Sequence, residues 1–172
     1  DSKNLLKAQP VIVDRGGPVN KRLFRRQAEN VFDDDYEFDL GKADLLRDGS
    51  DVTLIASGVC VANALQAAET LAQEGVSARV LNIHTIKPID ADAVIKAASE
   101  TGALVTAENH NVIGGLGSAV AEVLAEQRPT PLGRVGVKDH FGQVGKAPYL
   151  MGVFGITAAD IAKAARKAIA RK

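Results

Sequence analysis

From Phe38 to the end of the chain, apolar positions follow two alternating patterns. Short runs such as DVTLIAS and SARVLNI are apolar at nearly every position, as strands covered on both faces are. Leu40–Leu46 and Val52–Ala56 read as strands joined at Asp48–Gly49, residues that tolerate positive φ. The pair is therefore expected to form a hairpin, the first strand antiparallel to the second. Val61, Leu65, Ala68 and Leu71–Ala72 then recur at helical spacing, with Gly75 as the stop. Ala78–Ile83 reads as the next strand. Asp90 is placed to cap a helix, with Ile89 and Val94 as a hydrophobic staple across it. Ala103–Ala107 reads as a strand, Ser118–Gln127 as a helix ended before Pro129, and Arg134–Lys138 as the last strand. Thr157 and Asp160 form a capping-box-like start, stapled by Ile156 and Ile161, for a helix running towards Arg171. The series β-β-α-β-α-β-α-β-α predicts an α/β fold. It is a three-layer sandwich around a five-stranded, mostly parallel sheet with one antiparallel strand.

Residues 1–37 lack this rhythm. Lys3, Lys7, Arg15, Lys21, Arg22, Arg25 and Arg26 outweigh Asp1 and Asp14, before Asp33–Asp35 and Glu37 reverse the sign. Val11–Val13 reads as a short strand stopped by Gly16–Gly17–Pro18. The arm has too few apolar residues to bury itself. It is expected to be a poorly packed linker, or a fragment whose packing partner lies elsewhere. Phe24 is the only aromatic among its cations, which argues against single-stranded nucleic acid.

Composition narrows the classes further. A chain of 172 residues with 46% hydrophobic and 24% charged residues is long enough and apolar enough to build a core. Zero formal net charge gives no field favouring nucleic acid or an acidic membrane surface. One cysteine, Cys60, allows no internal disulfide and suits a reducing, cytoplasmic setting. No apolar run approaches the ~20 residues of a membrane span, and no signal peptide is visible. Asp1 in place of Met suggests a processed or truncated piece of a longer protein.

Candidate chemistry gathers in Ala107–Val120, AENHNVIGGLGSAV. A strand runs into a loop with Glu108 and His110, then enters a helix through Gly114, Gly115 and Gly117. Helix N-termini after strands are where open α/β sheets bind anions. Asp139, at the end of the next strand, stands where a ribose-binding acid would. Against a dinucleotide fingerprint, Val120 fills its third small position, and six residues separate strand from glycines. Glycines that let the helix pack closely are the plainer reading. His84, His110 and His140 each follow a parallel strand, so a metal site at one sheet edge is a second option. No paired histidine spacing supports it. Cys60 at a helix start is a candidate activated thiol or, more simply, a small core residue. Ser57–Gly58 and Ser118 lack a nucleophile-elbow context, and Lys87–Pro88 is explained by a turn before Asp90.

Four stretches carry a family resemblance: DVTLIASG, ARVLNIHTIKPID, ETGALVTAENHNVIGGLGSAVAEVLAE and VGVKDHFGQVG. Together they resemble the C-terminal domain of transketolases over residues 38–172. The wording IHTIKPID is nearer to transketolases, the split two-subunit kind especially, than to deoxyxylulose-phosphate synthases or 2-oxoacid dehydrogenase beta subunits. GPVNKRLFRR, Gly17–Arg26, is similar to the segment that closes the preceding pyrimidine-binding domain. There the family has a pattern like GPVYIRLGR, with Phe24 departing from its small residue. The resemblance implies that residues 1–37 are the tail of that domain and that Arg25 contacts the substrate phosphate.

It also implies a thiamine diphosphate and Mg²⁺ enzyme that moves a two-carbon ketol unit between sugar phosphates in the pentose phosphate pathway. In the family the activating glutamate and the Mg²⁺–diphosphate motif GDG…N lie in other domains, and no GDG occurs in this chain. The chain alone is then expected to be inactive, with no catalytic, cofactor-binding or metal residue of its own. Its partners would be the missing N-terminal domains or subunit, in a homodimer. On this reading Glu108, His110, Gly114, Gly115 and Gly117 form a domain or subunit contact. A stand-alone dinucleotide-binding domain and a metal-dependent enzyme using His84, His110 and His140 are the alternatives.

Overall fold

The computed structural model describes residues 1–24 and 28–172. At its centre the run Val52–Ala56 forms β2, and each of its residues is buried because helices cover both faces. Side chains alternate along a strand. Val52, Leu54 and Ala56 pack with α2 (Cys60–Gln73) and α6 (Ala158–Ile169). Ile55 points the other way, among residues of α3 (Ala91–Thr101) and α4 (Leu116–Gln127). Two apolar clusters on opposite faces of one sheet make the expected three-layer sandwich.

The sheet also contains β1 (Asp44–Arg47), β3 (Ala78–Asn82), β4 (Leu104–Asn111) and β5 (Leu132–Val137), in the order β1-β3-β2-β4-β5. Only β1 is antiparallel. It pairs with β3 rather than β2, so the expected hairpin is not formed. Asp48–Gly49 instead carries the chain across the start of β3. Asp51 N donates to Ser77 O at 2.8 Å, and Ser77 N donates back to Asp51 Oδ2 at 2.7 Å. A Cβ on Gly49 would fall 2.4 Å from the Ala78 carbonyl carbon, so the crossing requires glycine there. A turn signal marks a tight reversal without stating which strand lies beyond it.

Locally signalled ends appear as read. Asp90 caps α3 by accepting from Ala93 N, and its other oxygen accepts from Ala43 N at 3.0 Å. Thr157 and Asp160 form the full capping box of α6. A further short helix, α5 (Ala147–Val153), interrupts what reads as a glycine-punctuated loop, with Pro148 in its first turn.

The arm departs most from expectation. Val11–Val13 is the last turn of a helix, α1 (Ser2–Asp14), not a strand. Asp1 supplies the reason: Oδ1 caps α1 through Asn4 N, while Oδ2 accepts from Val31 N at 2.6 Å and Phe32 N at 3.0 Å. Val31 packs against the α2–α6 cluster. The arm is thus docked at 31–36, while Leu6, Val13 and Leu23 stay exposed. Arg25 lies outside the described residues. Among the described residues, no helix is long and apolar enough to cross a membrane.

Thr53 and Thr101 supply a test of the packing between β2 and α3. Their hydroxyls meet at 3.0 Å, fully buried, and Thr101 also donates to Ala97 O. Thr101→Val is expected to cost about 1–3 kcal/mol, because Thr53 keeps a buried hydroxyl without its partner. Adding Thr53→Val should recover part of that loss in urea unfolding. A double variant as unstable as the sum of the singles would show that the hydroxyls act independently.

Candidate functional site

The apolar run of β4 ends at Ala107, but the strand does not. It continues through an irregular register to Asn111, which pairs with Val137 of β5. Glu108 thereby lies inside the strand, only 2% exposed. Its carboxylate spans the start of α4: Oε2 accepts from Leu116 N and Oε1 from Gly117 N, both at 2.8 Å. These are the first amides of the helix, where unpaired donors and the dipole favour a negative charge.

Glycines make room for this carboxylate. A Cβ on Gly115 would fall 1.9 Å from Glu108 Oε2. One on Gly136, in the neighbouring strand β5, would fall 3.1 Å from Glu108 Cγ and 2.9 Å from His110 O. Gly117 lies against Arg134 Cδ and the Thr106 hydroxyl, each 2.9 Å from its would-be Cβ. Gly114 instead serves the turn, with φ of 74°. Ser118 Oγ accepts from Gly114 N and donates to Val112 O, while Asn111 Oδ1 accepts from Ile113 N.

A helix N-terminus that could cradle a phosphate is therefore filled from within. A pyrophosphate arriving there would meet a carboxylate already holding the donors it needs. The dinucleotide reading is corrected on this ground. For the diphosphate of thiamine diphosphate, too, Leu116 N and Gly117 N are already taken.

The three histidines are not brought together. His84 follows β3 and turns towards β1, its ring 4.3 Å from that of Phe38 and Nε2 3.9 Å from Asp44. His110 is exposed, with Nδ1 3.0 Å from Asn111 O, and His140 is exposed in the loop beyond β5. β2 separates the strands that carry His84 and His110. Among the described residues no three His, Cys, Asp or Glu side chains are grouped to hold a metal ion. That removes the metal-site reading. Burial pushes the Cys60 thiol up to about 12, with the Glu108 charge acting in the same direction, so it is a core residue and not a nucleophile.

The residues expected at a domain or subunit contact also divide. Glu108, Gly115 and Gly117 are buried and engaged with one another, while His110 and Gly114 remain exposed. Two features escaped the sequence reading. Gly136 was one, although a glycine in a strand interior is itself a sign of close approach. The other was the polar cluster Tyr36, Asp44, Asn82 and His84, whose members are too dispersed along the chain to signal one another. A hollow of about 380 Å³ lined by Asp48, Ser77, Arg79 and Glu100 lies at the opposite, amino-terminal edge. Its Arg79 is already paired with both acids.

Fold and turn together define an α/β domain whose glycine-rich helix start is closed by its own carboxylate. The chain belongs to the family described as "Transketolase, C-terminal domain", whose model matches residues 41–161. It is 55% identical over all of its 172 residues to the 6-deoxy-6-sulfo-D-fructose transketolase subunit SqwH of Clostridium sp. (strain MSTE9), covering 53% of that protein. It is 40% identical to an apulose-4-phosphate transketolase subunit of Phocaeicola vulgatus, over 96% of this chain and 53% of the relative. The chain thus spans about half the length of these relatives. A split gene transketolase, solved as an inactive beta4 tetramer, matches 85% of this chain and 48% of its own, with a TM-score of 0.82 and 46% identity. A transketolase from Leishmania mexicana, 23% identical with a TM-score of 0.58, shares the fold.

Glu108→Ala strands two buried amides and is expected to cost about 2–4 kcal/mol. It also empties the helix start, so sulfate at about tens of millimolar should raise the melting temperature of this variant more than that of the parent. Gly115→Ala, which forces the carboxylate aside, should cost a comparable amount. Combined with Glu108→Ala it should add little. Full additivity, with no anion response, would show that carboxylate and glycine are not coupled.

Proposed function

We propose that this chain acts as the C-terminal domain of a transketolase of the split kind, in an enzyme that transfers a two-carbon ketol unit between sugars with thiamine diphosphate and Mg²⁺. Its part is architectural. The observation that carries this reading is the Glu108 carboxylate on α4, because it closes the glycine-rich helix start at Gly114–Gly117 that could otherwise hold a diphosphate. The cofactor then belongs to the missing N-terminal domains or subunit, with which this chain assembles, as a homodimer of the complete enzyme in the cytoplasm. Residues 1–37 would be the tail of the preceding pyrimidine-binding domain and 38–172 the C-terminal domain.

The relatives are named for 6-deoxy-6-sulfo-D-fructose and for apulose 4-phosphate. A sulfonate and a phosphate share one chemistry, a compact anion at the end of a sugar. Arg25 is the residue proposed to meet it, since a guanidinium pairs with such oxyanions through two parallel hydrogen bonds. Because both relatives carry the names of other sugars, the proposal does not extend to the pentose phosphate pathway.

The purified chain, supplied with thiamine diphosphate, Mg²⁺, a ketose phosphate and an aldose phosphate, is expected to show no ketol transfer and no calorimetric binding of the cofactor. Adding the thiamine-diphosphate-binding polypeptide of the same enzyme should yield turnover, and Arg25→Ala should then raise KM for the anionic sugar. Ketol transfer by the chain alone would overturn the architectural reading. A reconstituted enzyme indifferent to Arg25 would remove that residue from the site.

A further inference from the structure

The arm and the sheet meet at a half-buried polar cluster that has no part in the reading above. Tyr36 donates its hydroxyl to Asp44 Oδ2 at 3.1 Å and accepts from Asn4 Nδ2 of α1 at 2.9 Å. Asn82 of β3 donates to the same Asp44 oxygen at 2.8 Å. Phe32 stacks on Tyr36 with ring centroids 4.0 Å apart, and Phe38 covers the His84 ring. His84 has a side chain only 9% exposed. Its Nδ1 lies 2.8 Å from Thr85 Oγ1, but the buried Nε2 has no hydrogen-bond partner and stops 3.9 Å from Asp44 Oδ2.

This distance is informative. In the tautomer with Nδ1–H donating to Thr85, Nε2 is a bare lone pair facing a carboxylate, which accounts for the 3.9 Å gap between them. A proton on Nε2 would turn the same approach into a charge-assisted hydrogen bond. Closing on it would draw Asp44 Oδ2 away from Tyr36 and Asn82, from which it now accepts. The charged groups facing His84 among the described residues are Asp44 of β1 and Asp39, just beyond the arm, both acidic.

We infer that Asp44 and His84 form a proton-operated clasp for the arm. With His84 neutral, Asp44 holds Tyr36 and the Phe38 ring seals the imidazole. With His84 protonated, Asp44 turns to Nε2, Tyr36 is released, and residues 31–38 leave the edge of the sheet. Burial lowers the His84 pKa below its ordinary 6.5, against the pull of Asp44 and Asp39. A histidine held neutral when docked binds a proton more readily once released, so a fall in pH below about 6.5 favours release. Burial and the Asp44 charge raise the Tyr36 phenol, which stays a donor throughout.

The chain has no tryptophan and two tyrosines, so Tyr149→Phe leaves Tyr36 as the single emitter. A phenol bonded to a carboxylate emits weakly, and release should brighten it. Between about pH 7.5 and pH 5 the emission of this variant is expected to rise, with a midpoint below about 6.5. Amide exchange in residues 31–38 should speed up over the same range, while that of β2 and β4 holds. His84→Phe, which keeps the stack on Phe38, should abolish both changes, and His84→Gln should do the same if the phenylalanine variant misfolds. Asp44→Asn should be bright at both ends of the range. Flat emission from Tyr149→Phe, or an unchanged transition without His84, would overturn the clasp.

Discussion

A buried charge at the start of a helix constrains much of this domain. Taking a carboxylate out of water costs several kcal/mol even in a relaxed protein interior. Glu108 recovers it from two charge-assisted hydrogen bonds of about 1.5–3 kcal/mol each and from the dipole of α4. The sum is close to balance, so the arrangement contributes geometry more than net stability. To deliver both oxygens to Leu116 and Gly117, β4 must overrun its apolar stretch and shift register before Asn111. To let them in, Gly115 and Gly136 must lack side chains. Once placed, the start of α4 is tied to β4, and Leu116, Val120 and Leu124 join the cluster shared with α3.

What could be read from the sequence sorts by distance along the chain. The doubly covered strands, the Asp90 cap and the Thr157–Asp160 box depend on residues within a few positions of one another. α1 was hidden because the β-branched run Val11–Val13 and the nearby Pro10 speak against a helix, while the Asp1 contacts that dock it lie thirty residues on. Asp48–Gly49 was misread because one turn chemistry serves a hairpin and a crossing alike. The Asp51–Ser77 pairing across the start of β3 tells them apart. The Gly114–Gly117 run is plain in the sequence, but its purpose is not, because the apolar run of β4 stops at Ala107 and gives no sign that the strand carries Glu108.

In doubly wound sheets, ligands settle in the crevice where strand order reverses, beyond the carboxyl ends of the strands. Here that place lies between β2 and β4, since α2 leads from β2 to one side and the later strands build on the other. It is closed: Ser57 N reaches Ala107 O, Cys60 is buried at the head of α2, and Glu108 fills the head of α4. At this point the fold has committed Ser57 N, Leu116 N and Gly117 N to its own acceptors. What the same edge still offers outward is side chains, among them His110, Ile113, His140, Phe141 and Val144. An edge with the first amides of α4 taken and apolar side chains outermost is suited to another protein surface more than to a small anion. That is the physical content of an architectural role for the domain.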